Sequence, residues 1–292
     1  MQRFFKLPEV AARFKPLRPK VPRKIDLPLI AQPQSKRYML VGTAFDYLLR
    51  FELQRRAHHA VASRWVAENA PNIIWRKLDK GAVGIDLLQN VDPNYWLPPE
   101  EVAERARRIV EKAKVAVSQY IGNTVPSISD QMALAEHAIR LAKLDDVVRA
   151  LRLDALFQEV DIEDVQDLID LLAVVPFEKL VHNKTMLLNP EFRTSQGAVD
   201  ADLITGNMLV EFKTTKNCEI DPVHLDQLLG YFILTRYKNL TAQTFPLIDR
   251  LGIYFCRHGH VWTFDAEVWT KHPLFQDTEH WFIDYAEGRM PS

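Results

Sequence analysis

The stretch from Gly197 to Lys213 constrains this chain more than any other. It reads Gly-Ala-Val-Asp-Ala-Asp-Leu-Ile, then Thr-Gly-Asn, then Met-Leu-Val-Glu-Phe-Lys. Two alternating runs flank Gly206-Asn207, a pair suited to a two-residue hairpin loop with Gly at the first central position. That loop pairs Thr205 with Met208 and so sets the register. Ile204 faces Leu209, Leu203 faces Val210, Asp202 faces Glu211, and Asp200 faces Lys213. Side chains two apart share a face of a strand. Asp200, Asp202, Glu211 and Lys213 are therefore expected on one face, and Val199, Ala201, Leu203, Val210 and Phe212 on the other. One face reads as a core and the other as a charged cluster.

Facing carboxylates about 5 Å apart repel each other unless a cation or a proton lies between them. Hard oxygen ligands with no neighbouring Cys or His point to Mg²⁺ or Mn²⁺ rather than zinc. Such an ion keeps several waters, so it can hold a phosphate oxygen and activate a water together. A solvated strand face with cross-strand ion pairs is the competing reading, and its weakness is the adjacent like charges.

The helix expected after the hairpin adds a second pattern. Asp221-Pro222 is suited to a helix start, with an acceptor at the cap and Pro in the first turn. Leu225, Leu228, Leu229 and Phe232 then follow the spacing of a buried helical stripe. Gln227 and Tyr231 lie four apart on a shared face beside it.

An Asp followed by Glu-x-Lys on the next strand resembles the PD-(D/E)xK nuclease superfamily, the matching residues being Asp202, Glu211 and Lys213. The Gln-x-x-x-Tyr helix after the Lys strand is similar to the RecB-like branch of that superfamily. The resemblance implies an α/β, restriction-endonuclease-like fold: a mixed central sheet flanked by helices, here with a helical insertion at about 98–175. It implies a Mg²⁺- or Mn²⁺-dependent nuclease acting on nucleic acid, with DNA favoured over RNA. Asp202 and Glu211 would ligate the metal, with Asp200 as a third candidate, and Lys213 would support the attacking water. Gln227 and Tyr231 would position the strand or orient Lys213. Relatives of this branch often place a His four residues after a Gly at the first core helix; here Gly42 is followed by Asp46, either a further ligand or a helix cap. Two other classes stay open: a non-cleaving nucleic-acid-binding module of the same fold, and a protein–protein adaptor with an acidic surface hairpin.

Composition sets the frame. In 292 residues, 47% hydrophobic content can fill a packed core, and the net charge is −1. That balance hides an asymmetry: residues 1–37 hold ten Lys/Arg against Glu9 and Asp26, leaving −9 on the remainder. Phosphate contacts are thus expected from local basic groups such as Lys213, Lys216 and the N-terminal segment. Pro8, Pro16, Pro19, Pro22 and Pro28 punctuate that segment, so residues 1–41 read as an extended basic arm, with 42–292 acting as one domain. No apolar run reaches the roughly 18 residues that span a membrane. Cys218 and Cys256 have no Cys-x-x-Cys spacing, which fits a reducing cytoplasm and excludes a four-cysteine cluster.

Elsewhere a long helix is expected from Gly42 to about Asn69, capped by Thr43, and a loop-rich or partly extended stretch from Asn72 to Leu97. A helix is expected from Pro98 to about Ile121, and two or three more over Ser129–Arg152 and Asp161–Val174. Glu159, Asp161, Glu163 and Asp164 read as a solvated face. Strands are expected at His182–Leu188, Leu251–Cys256 and Val261–Phe264, and Trp269 to Gly288 reads as an aromatic packing segment. His258-Gly259-His260 reads as a turn rather than a metal site. Gly84-Ile85-Asp86 mimics the Asp motif without a following Glu-x-Lys strand. Gly252-Ile253-Tyr254 and Tyr120-Ile121-Gly122 stand in the wrong order for a GIY-YIG nuclease.

Overall fold

Gly206 takes φ +59, a backbone conformation that costs glycine little, and turns the chain between two strands. The pairing that follows is the expected one: Thr205 with Met208, Ile204 with Leu209, and Leu203 with Val210. The computed structural model describes residues 4–79, 98–154, 156–195, 197–237, 240–241 and 243–289. Gly84-Ile85-Asp86 and the 80–97 part of the expected loop lie outside the described residues.

In chain order the elements are α1 (Pro8–Phe14), α2 (Tyr38–Arg56), β1 (Val61–Ala62), α3 (Ala70–Asp79), α4 (Pro99–Gly122), α5 (Ile128–Ala150), α6 (Ile162–Ala173) and α7 (Phe177–Leu180). There follow β2 (Met186–Leu188), β3 (Glu191–Thr194), β4 (Gly197–Asp200), β5 (Leu203–Thr205), β6 (Met208–Lys213), α8 (Pro222–Thr235), β7 (Arg250–Phe255), β8 (His260–Asp265), α9 (Glu267–Thr270) and α10 (Phe275–Ala286). The architecture is mixed α/β with a central sheet flanked by helices. Contacts group the chain into two units. One comprises Met1–Ile30, His59–Ser63 and Val174–Ser292, the other Ala31–His58 and Arg64–Ala173. Among the described residues no helix is long and apolar enough to cross a membrane.

The first unit holds the sheet, in the order β1-β2-β5-β6-β7-β8. β5 and β6 form the antiparallel hairpin, α8 follows, and β7 lies parallel to β6 with Glu211 beside Ile253 and Lys213 beside Phe255. β8 returns antiparallel to β7. The α8 stripe of Leu225, Leu228, Leu229 and Phe232 is buried with Ile204, Leu209, Leu251, Ile253 and Phe255. Because these strand residues share a face with Glu211 and Lys213, the division into one apolar and one charged face does not hold. The Glu211 face carries the helix-packed core, and Leu203, Val210 and Tyr254 on the opposite face are also fully buried. A parallel crossover needs a helix laid over the sheet, and that helix lands on the charged side of the hairpin.

The predicted register also stops short. β4 belongs to a second, two-stranded sheet with β3, so Asp200 faces Glu191 rather than Lys213. Leu188 pairs with Leu203, and Glu191 pairs with Asp200. One antiparallel pair therefore runs through both sheets without a slip and is bent at Asn189-Pro190. Asn189 adopts φ +50 there, and Pro190 has no N–H to give a ladder. Asp202 sits at this bend, outside the strands. The strand expected from His182 begins only at Met186.

The first part of the N-terminal segment, residues 4–17, is not extended. Pro8 sits in the first turn of α1, where its missing N–H costs nothing, and Pro16 comes after the helix ends. Phe5, Val10, Phe14 and Leu17 are in the core of the sheet unit. The i, i+4, i+7 spacing of Val10, Phe14 and Leu17 was visible in the sequence beneath the prolines.

The second unit is helical and is built on α2 against α5. α2 starts at Tyr38, four residues before Gly42, and ends at Arg56 rather than near Asn69. A glycine inside a helix costs about 1 kcal/mol, which the buried stripe of Val41, Phe45 and Leu48 outweighs. Thr43 is therefore interior and donates its hydroxyl to the Met39 carbonyl at 3.2 Å. Asp46 does not cap the helix; it pairs with Arg50 at 2.7 Å. α3 makes residues 72–79 helical where a loop was expected. Asp164 is fully buried against Arg37 rather than part of a solvated face.

Truncation of a core aromatic in the N-terminal segment should therefore weaken the whole sheet unit. Phe14→Ala is expected to cost about 3–5 kcal/mol, read as a lower urea midpoint with an unchanged slope. A loss below about 0.5 kcal/mol, the range of ordinary surface substitutions, would return the segment to the surface.

Candidate functional site

Lys213 ends β6 with its side chain turned toward α8. Its Nζ donates to Glu211 Oε1 at 2.9 Å and to Gln227 Oε1 at 3.1 Å. Glu211 precedes it by two on the same strand face, and Gln227 reaches down from the second turn of α8. All three are nearly buried: Glu211 is 5% exposed, Lys213 8% and Gln227 1%. Ile253 and Phe255 of β7, fully buried, flank Glu211 and Lys213 in register. With so little water nearby, each charge contact is stronger than at an open surface, and each unmatched charge costs more.

Asp202 joins the group because of the bend. Where the strand leaves β6, the Asp202 carboxylate replaces the ladder and accepts the N–H of Phe212 at 2.6 Å. Phe212 lies between Glu211 and Lys213 in the chain, so the Asp202 carboxylate sits beside the backbone that joins those two residues. Asp200 is placed differently: its carboxylate accepts from Asn189 Nδ2 at 3.2 Å, in the β3–β4 sheet. Among the described residues, no group of three or more His, Cys, Asp or Glu side chains is gathered to hold a metal ion. Asp202 and Glu211 are the two carboxylates at the end of β6.

α8 begins as expected, with Asp221 at the cap and Pro222 in the first turn. The Gln227 amide nitrogen is buried with no hydrogen-bond partner among the described residues. Tyr231, one turn further on, lies edge-on to Phe5 at 4.9 Å and stacks on Phe192 at 6.2 Å between ring centres. His258 is structural: its ring nitrogens meet the Pro28 carbonyl at 2.9 Å and the Lys216 carbonyl at 3.1 Å, within the turn expected there.

Three residues at this site carry no motif in the sequence. Arg18 holds Asp226 with two parallel hydrogen bonds, Nε to Oδ1 at 2.8 Å and Nη2 to Oδ2 at 2.6 Å. Asp226 precedes Gln227 on α8, but nothing local marks a partner 208 residues away. His224, in the first turn of α8, accepts the Asp221 N–H at its Nδ1 at 3.2 Å. Burial, and then the nearby charge of Lys213, push its pKa down to about 4.

A histidine held neutral in the folded state but free to charge in the unfolded chain opposes folding as the pH falls. Its contribution is complete above the ordinary value of 6.5 and declines down to about pH 4. His224→Gln should therefore flatten the loss of stability between pH 6.5 and 4 by up to one proton per molecule. Urea midpoints measured across that window test this; parallel curves for variant and wild type would rule it out.

Comparisons with protein-family models, with curated proteins and with solved structures return no match for this chain.

Proposed function

We propose that this chain is a divalent-metal-dependent nuclease that hydrolyses phosphodiester bonds of nucleic acid, DNA in preference to RNA. Its sheet unit would be a restriction-endonuclease-like core of the PD-(D/E)xK, RecB-like kind. The observation that carries this reading is the Lys213 ammonium held between Glu211 and Gln227, with the Asp202 carboxylate bound to the backbone N–H of Phe212, between Glu211 and Lys213 in the chain. The β5-β6-α8-β7 order supports it, since the hairpin and helix that supply these residues come in the sequence the motifs require.

Asp202 and Glu211 would hold Mg²⁺ or Mn²⁺. The ion, when bound, would supply Lewis-acid activation of the phosphate and of a coordinated water. Each carboxylate already spends one oxygen on a fixed donor, Phe212 N–H or Lys213 Nζ, which sets its orientation. Lys213 has three N–H donors and uses two on Glu211 and Gln227. The third is left for a phosphate oxygen or the attacking water, where a fixed positive charge stabilises the charge that develops. Gln227 keeps the ammonium from swinging toward Glu211 alone.

Substitutions that keep shape but change charge separate chemistry from folding. Glu211→Gln and Lys213→Gln should each lower cleavage of labelled single- or double-stranded DNA about 10²-fold or more, measured on folded protein well below each variant's own melting temperature. Full activity in a folded Glu211→Gln protein would end the nuclease reading. Strand binding with no turnover in wild type, with or without Mg²⁺, would leave a nucleic-acid-binding module instead.

Metal binding is tested apart from turnover. Calorimetry should show Mn²⁺ binding that Asp202→Asn weakens. Equal binding by wild type and variant would reduce the acids to an ion-pair cluster.

A further inference from the structure

The N-terminal segment grips α8 at two points one helical turn apart. At the first, Arg18 clamps Asp226 through a two-pronged pair, and Asp226 is 2% exposed. At the second, the Phe5 ring occupies the space left by Gly230, where a Cβ would stand 2.1 Å from the ring. The same ring meets Tyr231 edge-on. Residues 226 and 230 share one helix face, while Gln227 and Tyr231, each one residue further on, form the next. The gripped face and the face that reaches Lys213 are thus adjacent stripes of one rigid helix.

We propose that residues 4–18 brace α8, and that Arg18, acting through Asp226, is a positioning residue for the Gln227–Lys213 contact. Apolar packing holds a helix against a sheet without fixing its rotation or its axial position, because the hydrophobic effect has no direction. A guanidinium fork on a carboxylate does have direction. With Asp226 fixed in two bonds and Gly230 keyed by Phe5, α8 can neither roll nor slide, and Gln227 Oε1 stays 3.1 Å from Lys213 Nζ. The energetics favour this over a stabilising role. Burial holds the Asp226 carboxyl above the usual carboxylate range in spite of the Arg18 charge beside it. An ion pair of that kind contributes little net stability compared with an apolar pair of the same volume.

The catalytic consequence rests on the nuclease reading above, and the test keeps the two apart. In the full chain, Arg18→Met with Asp226→Leu replaces the pair by apolar groups. Its melting temperature should equal or exceed wild type, while kcat for DNA cleavage falls about 10–100-fold, in the range known for misplacement by an ångström, with KM within about threefold. The Gln227 side-chain amide resonance, identified by its loss in Gln227→Leu, should shift or broaden in the same double variant. Gly230→Ala, which must displace Phe5, should move that resonance as well. A folded double variant with the wild-type amide resonance overturns the proposal. If the wild-type protein does not cleave, the nuclease reading falls, and the amide resonance still decides the brace.

Discussion

The sharing of one ammonium between a strand and a helix organises this structure. Lys213 is too buried to keep its water, so Glu211 and Gln227 must replace it. Removing one partner of such a pair strands a buried charge, at about 3–5 kcal/mol. That cost ties the end of β6 to the second turn of α8 and makes their relative placement a condition of folding. The apolar neighbours on β7 deepen the constraint, because they offer the charge no other partner. The N-terminal segment completes it, with Phe5 and Arg18 packed on the same helix.

The bend at Asn189-Pro190 governs the rest of the site. Had the antiparallel pair stayed straight against β6, the backbone of residues 201–202 would have continued the ladder. The bend withdraws that backbone and substitutes the Asp202 side chain at the Phe212 N–H. The departure that costs the sheet its regularity therefore delivers a carboxylate to the end of β6. It also takes Asp200 away, into the β3–β4 sheet beside Asn189.

The legible and illegible parts of the fold divide along the range of the interactions involved. The hairpin register from Thr205 to Val210 followed from Gly206-Asn207 and alternation, and the α8 start followed from Asp221-Pro222, because both are set within a few residues. The N-terminal helix was obscured by its prolines, although Pro8 stands where a helix tolerates it and Pro16 lies beyond its end. Thr43 looked like a cap because Gly42 looked like a break, yet the buried stripe on α2 runs through both. Asp164 looked solvated because its partner, Arg37, stands 127 residues earlier.

By itself the sequence determined the hairpin, the apolar stripe of α8, and the presence of Asp202, Glu211, Lys213 and Gln227 on adjoining elements. Local backbone preference and side-chain period suffice for that. Only the tertiary structure decided that both faces of the hairpin are buried, that Asp200 leaves the group, and that Arg18 and Phe5 hold α8. Those outcomes depend on where a strand bends and which distant surface covers a helix. The hold of Arg18 on Asp226 spans 208 residues, a separation that no local pattern encodes.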